Sequence, residues 1–367
     1  MFNRRHGFLI LPAIAIFTLS VLADRPQPGS GQIVEAGHML APRSGHTATL
    51  LRDGRVLIVG GMVRNGQFLD TAELYDSEKK TFTPAGTMSI RRVGHAAALL
   101  HDGRVLIVGG WVVGGATDRA ELYDPRTGRF TAVASMHETR GRPTATPLAD
   151  GRVLITGGSV EDRAGLRSAE LFDPKTSKFT AVGDMKDGRI AHTASLLPDG
   201  SVLVAGGMAD GHAVSSAECF DPKTGTFIAV ASMHQVRYKH TAQVLRDGRV
   251  LIAGGSDDRD WKGTLSEAEL YDPAKRSFSV LPSMSEKRFK LSDEAAVLPD
   301  GNVLIAGGSG KAELFNVKRG NFESLASGTG KPQWYMSETS MKNGEVLLLG
   351  GYSTSMTATD QVWIYRP

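Results

Sequence analysis

A short run of Val, Leu and Ile that ends in Gly-Gly returns seven times along the chain. The pairs are Gly60-Gly61, Gly109-Gly110, Gly157-Gly158, Gly206-Gly207, Gly254-Gly255, Gly307-Gly308 and Gly350-Gly351. Successive second glycines are 49, 48, 49, 48, 53 and 43 residues apart. A period near 50 residues marks stacked units, each of which cannot bury its apolar face alone.

One unit shows what is being repeated. After Arg43-Ser44-Gly45-His46 come an apolar stretch to Leu51, Asp53-Gly54, then Val56-Leu57-Ile58-Val59 and Gly60-Gly61. Asp-Gly between β-prone runs favours a type I′ hairpin, whose two central residues need positive φ. It recurs at Asp102-Gly103, Asp150-Gly151, Asp199-Gly200, Asp247-Gly248 and Asp300-Gly301, with Asn343-Gly344 in the last unit. The strand that follows is continuously apolar, as expected of a strand buried on both faces. A third strand reads Ala72-Glu73-Leu74-Tyr75-Asp76 or a near copy. Asp-Pro then opens a turn at Asp124-Pro125, Asp173-Pro174, Asp221-Pro222 and Asp272-Pro273. An aromatic begins the fourth strand at Phe82, Phe130, Phe179, Phe227, Phe278 and Phe322. Four short antiparallel strands per unit, with no helical periodicity, make a propeller blade.

These residues resemble the kelch family, which shares a superfamily with the central domain of galactose oxidase. The resemblance covers residues 32–367, and its Asp-Gly-Arg-Val-Leu-Ile and Glu-Leu-Tyr-Asp-Pro segments look most like bacterial secreted members. The family's fourth-strand tryptophan is Phe here. The expected fold is all-β: a seven-bladed propeller of four-stranded antiparallel blades. Its units run over about 43–89, 90–138, 139–187, 188–235, 236–286, 287–328 and 329–367. Gln32–Met39 matches a fourth strand standing alone, and the chain stops after a third strand, Val362-Trp363-Ile364-Tyr365. The N-terminal strand is therefore expected to close the last blade.

Ahead of the propeller, Arg4, Arg5 and His6 precede an apolar core from Phe8 to Leu22 and a small-residue site at Ala23. This reads as a signal peptide over residues 1–23, followed by a linker over 24–31, and implies export to the periplasm or beyond. No membrane span is expected after cleavage, and a monomer is expected. Without Arg4 and Arg5, 40 basic residues face 39 acidic ones, a balance that argues against nucleic acid as partner. Cys219 is the single cysteine and takes the place of Leu74, Leu122 and Leu171 in other units, so it reads as a packing residue.

Eleven residues before the glycine of each Asp-Gly or Asn-Gly turn stand Arg43, Arg92, Arg140, Arg189 and Arg237, then Lys290 and Gln333. If the first strand is innermost, these side chains ring one channel mouth, where guanidinium groups suit carboxylates or sulfates. The kelch resemblance implies the same, since adaptor members contact acidic peptides through arginines just before the first strand. The alternative is structural: the arginines pair with Glu73, Glu121, Glu170, Glu218, Glu269 and Glu313. Departures from the repeat give a second set, because symmetry does not explain them. These are Arg288 and Lys290 in unit six, Trp334 and Tyr335 in unit seven, and the loop Asp257–Lys262. The expected ligand set is thus Arg43, Arg92, Arg140, Arg189, Arg237, Arg288, Lys290, Trp334 and Tyr335.

His46, His95, His192 and His240 lie in different units and do not have metal-site spacing. No cofactor, metal or catalytic set is expected. The reading is an exported binding protein for a peptide or glycan. The alternative, by resemblance to kelch-type sialate epimerases, is a sugar-acid isomerase using Arg288, Glu294 and Glu338. A radical-copper oxidase fits less well, because Cys219 sits at a packing position.

Overall fold

The structure is a computed structural model that describes residue 1 and residues 31–161, 164–291 and 295–367. The signal segment beyond Met1, the linker up to Ser30, and Glu294 lie outside the described residues.

Each continuous apolar strand sits second from the inside of its blade. Val56–Val59 is buried throughout, and its alternate residues face different neighbours. Leu57 and Val59 pack with Val105, Ile107 and Tyr123 of the next blade. Val56 and Ile58 pack with Leu347, Leu349 and Ile364 of the previous one. The same arrangement at every junction explains why these strands do not alternate in polarity. Blade one is Thr47–Leu50, Val56–Val59, Thr71–Asp76 and Thr81–Thr87, paired in that order. Blades two to six repeat it, with innermost strands Ala96–Leu99, Thr144–Pro147, Thr193–Leu196, Thr241–Val244 and Ala296–Val297.

Blade seven closes the ring as the termini require. Ser337–Ser340, Val346–Leu349 and Gln361–Arg366 are completed by Gln32–His38, with Gln32 opposite Arg366 and Val34 opposite Ile364. The fourth-strand aromatic packs on the third-strand aromatic in each of blades one to six, as with Tyr75 and Phe82 at 4.9 Å between ring centroids. Phe thus supplies the apolar anchor that tryptophan supplies elsewhere in the family.

The Gly-Gly pairs mark the closest backbone approaches. A Cβ on Gly60 would lie 2.8 Å from the Arg92 carbonyl oxygen, and Gly61 has φ of +94°. The second glycine of each pair donates its N–H to the leading loop of the following blade. Gly61 bonds to Arg92, Gly207 to Arg237, and Gly351 to Arg43 across the closure. Any side chain there would separate the blades.

Candidate functional site

The repeated arginines are in the wall. Arg43, Arg92, Arg140, Arg189, Arg237 and Arg288 are all 0 % exposed. Each meets the third-strand glutamate of its own blade at 2.6–3.0 Å: Glu73, Glu121, Glu170, Glu218, Glu269 and Glu313 respectively. The guanidinium also donates to the first Gly-Gly carbonyl, as from Arg43 to Gly60 at 2.8 Å. The carboxylate in turn accepts backbone N–H groups from the chain arriving from the previous blade, such as Leu40 and Ala41 at Glu73. Each pair therefore fastens a blade-to-blade connection to a third strand.

The expectation that Arg43, Arg92, Arg140, Arg189 and Arg237 ring the channel mouth is corrected, and so is the placing of Arg288 in the ligand set as a departure from the repeat. Their side chains turn away from the channel, and every charge is already matched. In blade seven both partners change together. Gln333 replaces the arginine, and Trp363 stands opposite Leu348 where glutamate stands opposite Ile58. Losing both avoids a buried unpaired charge.

The histidines are also wall residues. His46 is hydrogen-bonded to Ser337, His95 to Thr47 and His240 to Thr193, each reaching the inner strand of the preceding blade. His192 meets Thr156 on the second strand of the preceding blade at 3.0 Å and Thr144 on its inner strand at 3.4 Å. Burial, reinforced by the adjacent arginine, pushes His46 and His192 down to about 3. The same causes hold His95 and His240 well below the ordinary value.

The mouth is formed two residues after each strut, at Gly45, Gly94, Arg142, Ala191, Lys239, Lys290 and Tyr335. All seven have φ between +53° and +60°. Five are not glycine, so the chain holds side chains in a conformation that costs each of them free energy. Backbone bonds link these positions around the channel: Gly45 to Tyr335, Gly94 to Gly45, Arg142 to Gly94, Lys239 to Ala191 and Tyr335 to Lys290, at 2.8–3.1 Å.

Three of the seven positions carry cations, and they share one aromatic cluster. The Arg142 guanidinium lies 4.3 Å from the Tyr335 ring centroid. Lys290 donates to the Tyr352 hydroxyl at 2.9 Å and lies 5.1 Å from the Trp334 ring. Lys239 lies over Tyr238 and Phe289 at 4.8 and 4.9 Å, with the Asp260 carboxylate 3.5 Å away. Burial raises the Tyr335 phenol, yet the charges of Arg142, Lys239 and Lys290 outweigh it and leave the phenol below its ordinary value. Among the described residues, one carboxylate, Asp260, faces three cations there.

Of the residues expected from the sequence, the structure brings Lys290, Trp334 and Tyr335 together here and places the six arginines elsewhere. Arg142, Lys239 and Tyr352 were missed as site residues. The signal for the first two was present: a repeated small residue, Gly45 and Gly94, becomes Arg142 and Lys239 at the same offset. The decorated loop contributes Asp260, which also accepts a hydrogen bond from Tyr238. Its Trp261 points outward and is 70 % exposed.

Behind the mouth a cavity of about 780 Å³ runs between the inner strands. Glu338 borders it at a position that is Ala48, Ala97, Ala145 and Ala194 in other blades. Its Oε1 accepts from Ala306 and Gly307 N–H groups at 3.0 and 2.8 Å, and burial pushes its carboxyl up to about 7. Of its partners in the isomerase alternative, Arg288 is a buried strut and Glu294 lies outside the described residues.

The family model described as Kelch motif matches residues 42–89, 92–137, 189–234 and 244–285. Among solved structures the chain is similar to a fungal alcohol oxidase of the AA5 family in complex with copper. The TM-score is 0.73 at 19% identity, covering 92% of this chain and 76% of that one. No curated protein matches the sequence. Among the described residues no group of three His, Cys, Asp or Glu could hold a metal ion. Cys219 is buried in the wall, 3.6 Å from the Tyr271 hydroxyl of the next blade.

Proposed function

The chain belongs to the kelch-repeat β-propeller family, a fold suited to interaction, and on that premise we propose that it is an exported protein that binds acidic groups of a peptide or glycan at one mouth of its channel. The observation that carries the reading is the cluster of Arg142, Lys239 and Lys290 at the one ring position that blades one, two and four give to glycine or alanine. Repetition does not account for cations there. Charge-assisted bonds to carboxylates are the interaction such a cluster provides. Trp334 and Tyr335, both part-exposed, add flat aromatic surface beside it, as binding sites require for anchoring. Export is supported by the basic, apolar and small-residue order of residues 1–23. Among the described residues no helix is long and apolar enough to cross a membrane.

Calorimetric titration with an oligoglutamate peptide and with an oligogalacturonate tests the reading. At least one should bind, and Lys239→Ala with Lys290→Ala should weaken it at least tenfold, since a hydrogen bond to a charged group contributes about 1.5–3 kcal/mol. Binding of neither, or unchanged binding to the variant, would refute it.

A further inference from the structure

Five of the seven inner strands carry a hydrogen-bonding side chain at one level of the bore. Thr49, Thr146, Ser195, Gln243 and Thr339 stand opposite Leu57, Leu154, Leu203, Leu251 and Leu347 of the second strands, so they share one position of the repeat. Blades two and six have Ala98 and Ala296 there. All five polar side chains border the cavity of about 780 Å³, a volume within the range of small-molecule sites. Hydroxyls on the wall side of these strands are engaged, as where Thr47, Thr193 and Ser337 meet histidines. The girdle differs. Among the described residues the hydroxyls of Thr49, Thr146, Ser195 and Thr339 have no hydrogen-bond partner, although Thr339 is only 8 % exposed. Glu338, one residue nearer the mouth, has its Oε1 fixed by the Ala306 and Gly307 N–H groups and its buried Oε2 unpartnered. A buried polar atom without a partner is costly, and a hydroxylated ligand would supply one.

Between mouth and girdle the strands carry alanine in blades one to six and Glu338 in blade seven. That level offers no pockets for the alternate side chains of an extended peptide. The four residues from Gly45 to Thr49 span roughly 13 Å at about 3.3 Å per residue.

We infer that the bore seats the hydroxylated body of an acidic saccharide, whose carboxylate meets Arg142, Lys239 and Lys290 at the mouth and whose hydroxyls bond the girdle. The inference rests on the reading of the mouth as an anion site and adds the chemical class of the ligand's body. The Arg142 side chain crosses Gly94 to lie on Tyr335, so it must swing aside as the saccharide enters. A carboxylate offers it a charge-assisted bond in exchange for the ring.

Calorimetric titration of the full chain with acetate, cyclohexanecarboxylate, cellobiouronate and tetraglutamate tests the inference. Cellobiouronate, a disaccharide with one carboxylate, should bind at least tenfold more tightly than acetate and more tightly than cyclohexanecarboxylate. Thr146→Val with Ser195→Ala removes two girdle hydroxyls with little change of shape. It should weaken cellobiouronate at least fivefold and leave acetate unchanged. Thr49→Val, a single near-isosteric change, should weaken cellobiouronate at least twofold and serves if the double variant does not fold. Cyclohexanecarboxylate equal to cellobiouronate, or a cellobiouronate affinity that these variants leave unchanged, overturns the inference. So does tetraglutamate binding that needs Thr146 and Ser195 where cellobiouronate does not bind, which would assign the bore to a peptide. If acetate or tetraglutamate still binds and needs Lys239 and Lys290, the mouth reading survives that failure. If no anion binds, both fall.

Discussion

Arg140 and Arg142 are two residues apart and have opposite fates. Arg140 is wholly buried, bonded to Glu170 and to the Gly157 and Ser168 carbonyls. Arg142 is half-buried over the channel, stacked on Tyr335. The same pairing recurs as Arg237 with Lys239 and as Arg288 with Lys290. The first member of each pair repeats in six blades and has a fixed partner within its blade. The second occupies a place that blades one and two give to glycine. A cation that every blade carries holds the wall; a cation that only some blades carry sits at the mouth, against aromatic rings, the Tyr352 hydroxyl and the Asp260 carboxylate.

The sharpest way to break this contrast is to remove a strut. Arg189→Ala leaves Glu218 buried without its cation and should destabilise the protein by about 3–5 kcal/mol in urea denaturation. Replacing both partners, Arg189→Met with Glu218→Leu, should cost much less, which is the solution blade seven already uses with Gln333 and Trp363.

Acid should act on the wall before it acts on the mouth. His46 and His192 have folded-state values near 3, below the ordinary 6.5, so the unfolded chain binds more protons between those values. Stability is therefore full above pH 6.5 and declines as pH falls toward 3, by up to about 1.4 kcal/mol per pH unit for each histidine. Glu338 works in the other direction. Its raised carboxyl, near 7 against 4.5, makes the folded state lose stability as pH rises through that window. Glu338→Gln should thus raise stability above pH 7 by on the order of 1 kcal/mol and change little at pH 4, as measured by denaturation at each pH.

At the mouth, Lys239→Ala with Lys290→Ala should change stability by no more than about 1 kcal/mol. The phenol of Tyr335 should then titrate at higher pH, because two of the three cations that depress it are gone. Ultraviolet absorbance against pH reads that shift. An unchanged phenol would mean that the lysines do not converge on Tyr335. The smallest effect belongs to the surface. Arg55, paired with Asp53 at 2.6 Å on an exposed turn, should cost less than about 1 kcal/mol when changed to Ala.

Much of this architecture was legible in the sequence, because turns and buried strands repeat their chemistry seven times. The lone fourth strand at Gln32 and the missing one after Tyr365 were enough to close the ring. The site was less legible, for two physical reasons. Counting from the Asp-Gly turn landed on Arg43 and its equivalents without showing that their side chains point into the wall. That direction goes with the bonds each makes inside the wall, to the third-strand glutamate and the Gly-Gly carbonyl, which a count along the chain does not reveal. In blade six the count landed on Lys290 rather than Arg288, because that blade has two more residues between its strut and its turn. Lys290, Trp334 and Tyr335 stood out as departures from the repeat. The stretch Arg140-Gly141-Arg142-Pro143 also departed from the repeat, through its lost histidine, but Arg142 was not taken into the ligand set; Lys239 was masked by His240 beside it, which still matches.

The most direct test compares Arg140→Ala and Arg142→Ala in one urea denaturation experiment. The account predicts a loss of about 3–5 kcal/mol for the first and no more than about 1 kcal/mol for the second. Equal losses, or the larger loss at Arg142, would contradict the division between wall and mouth.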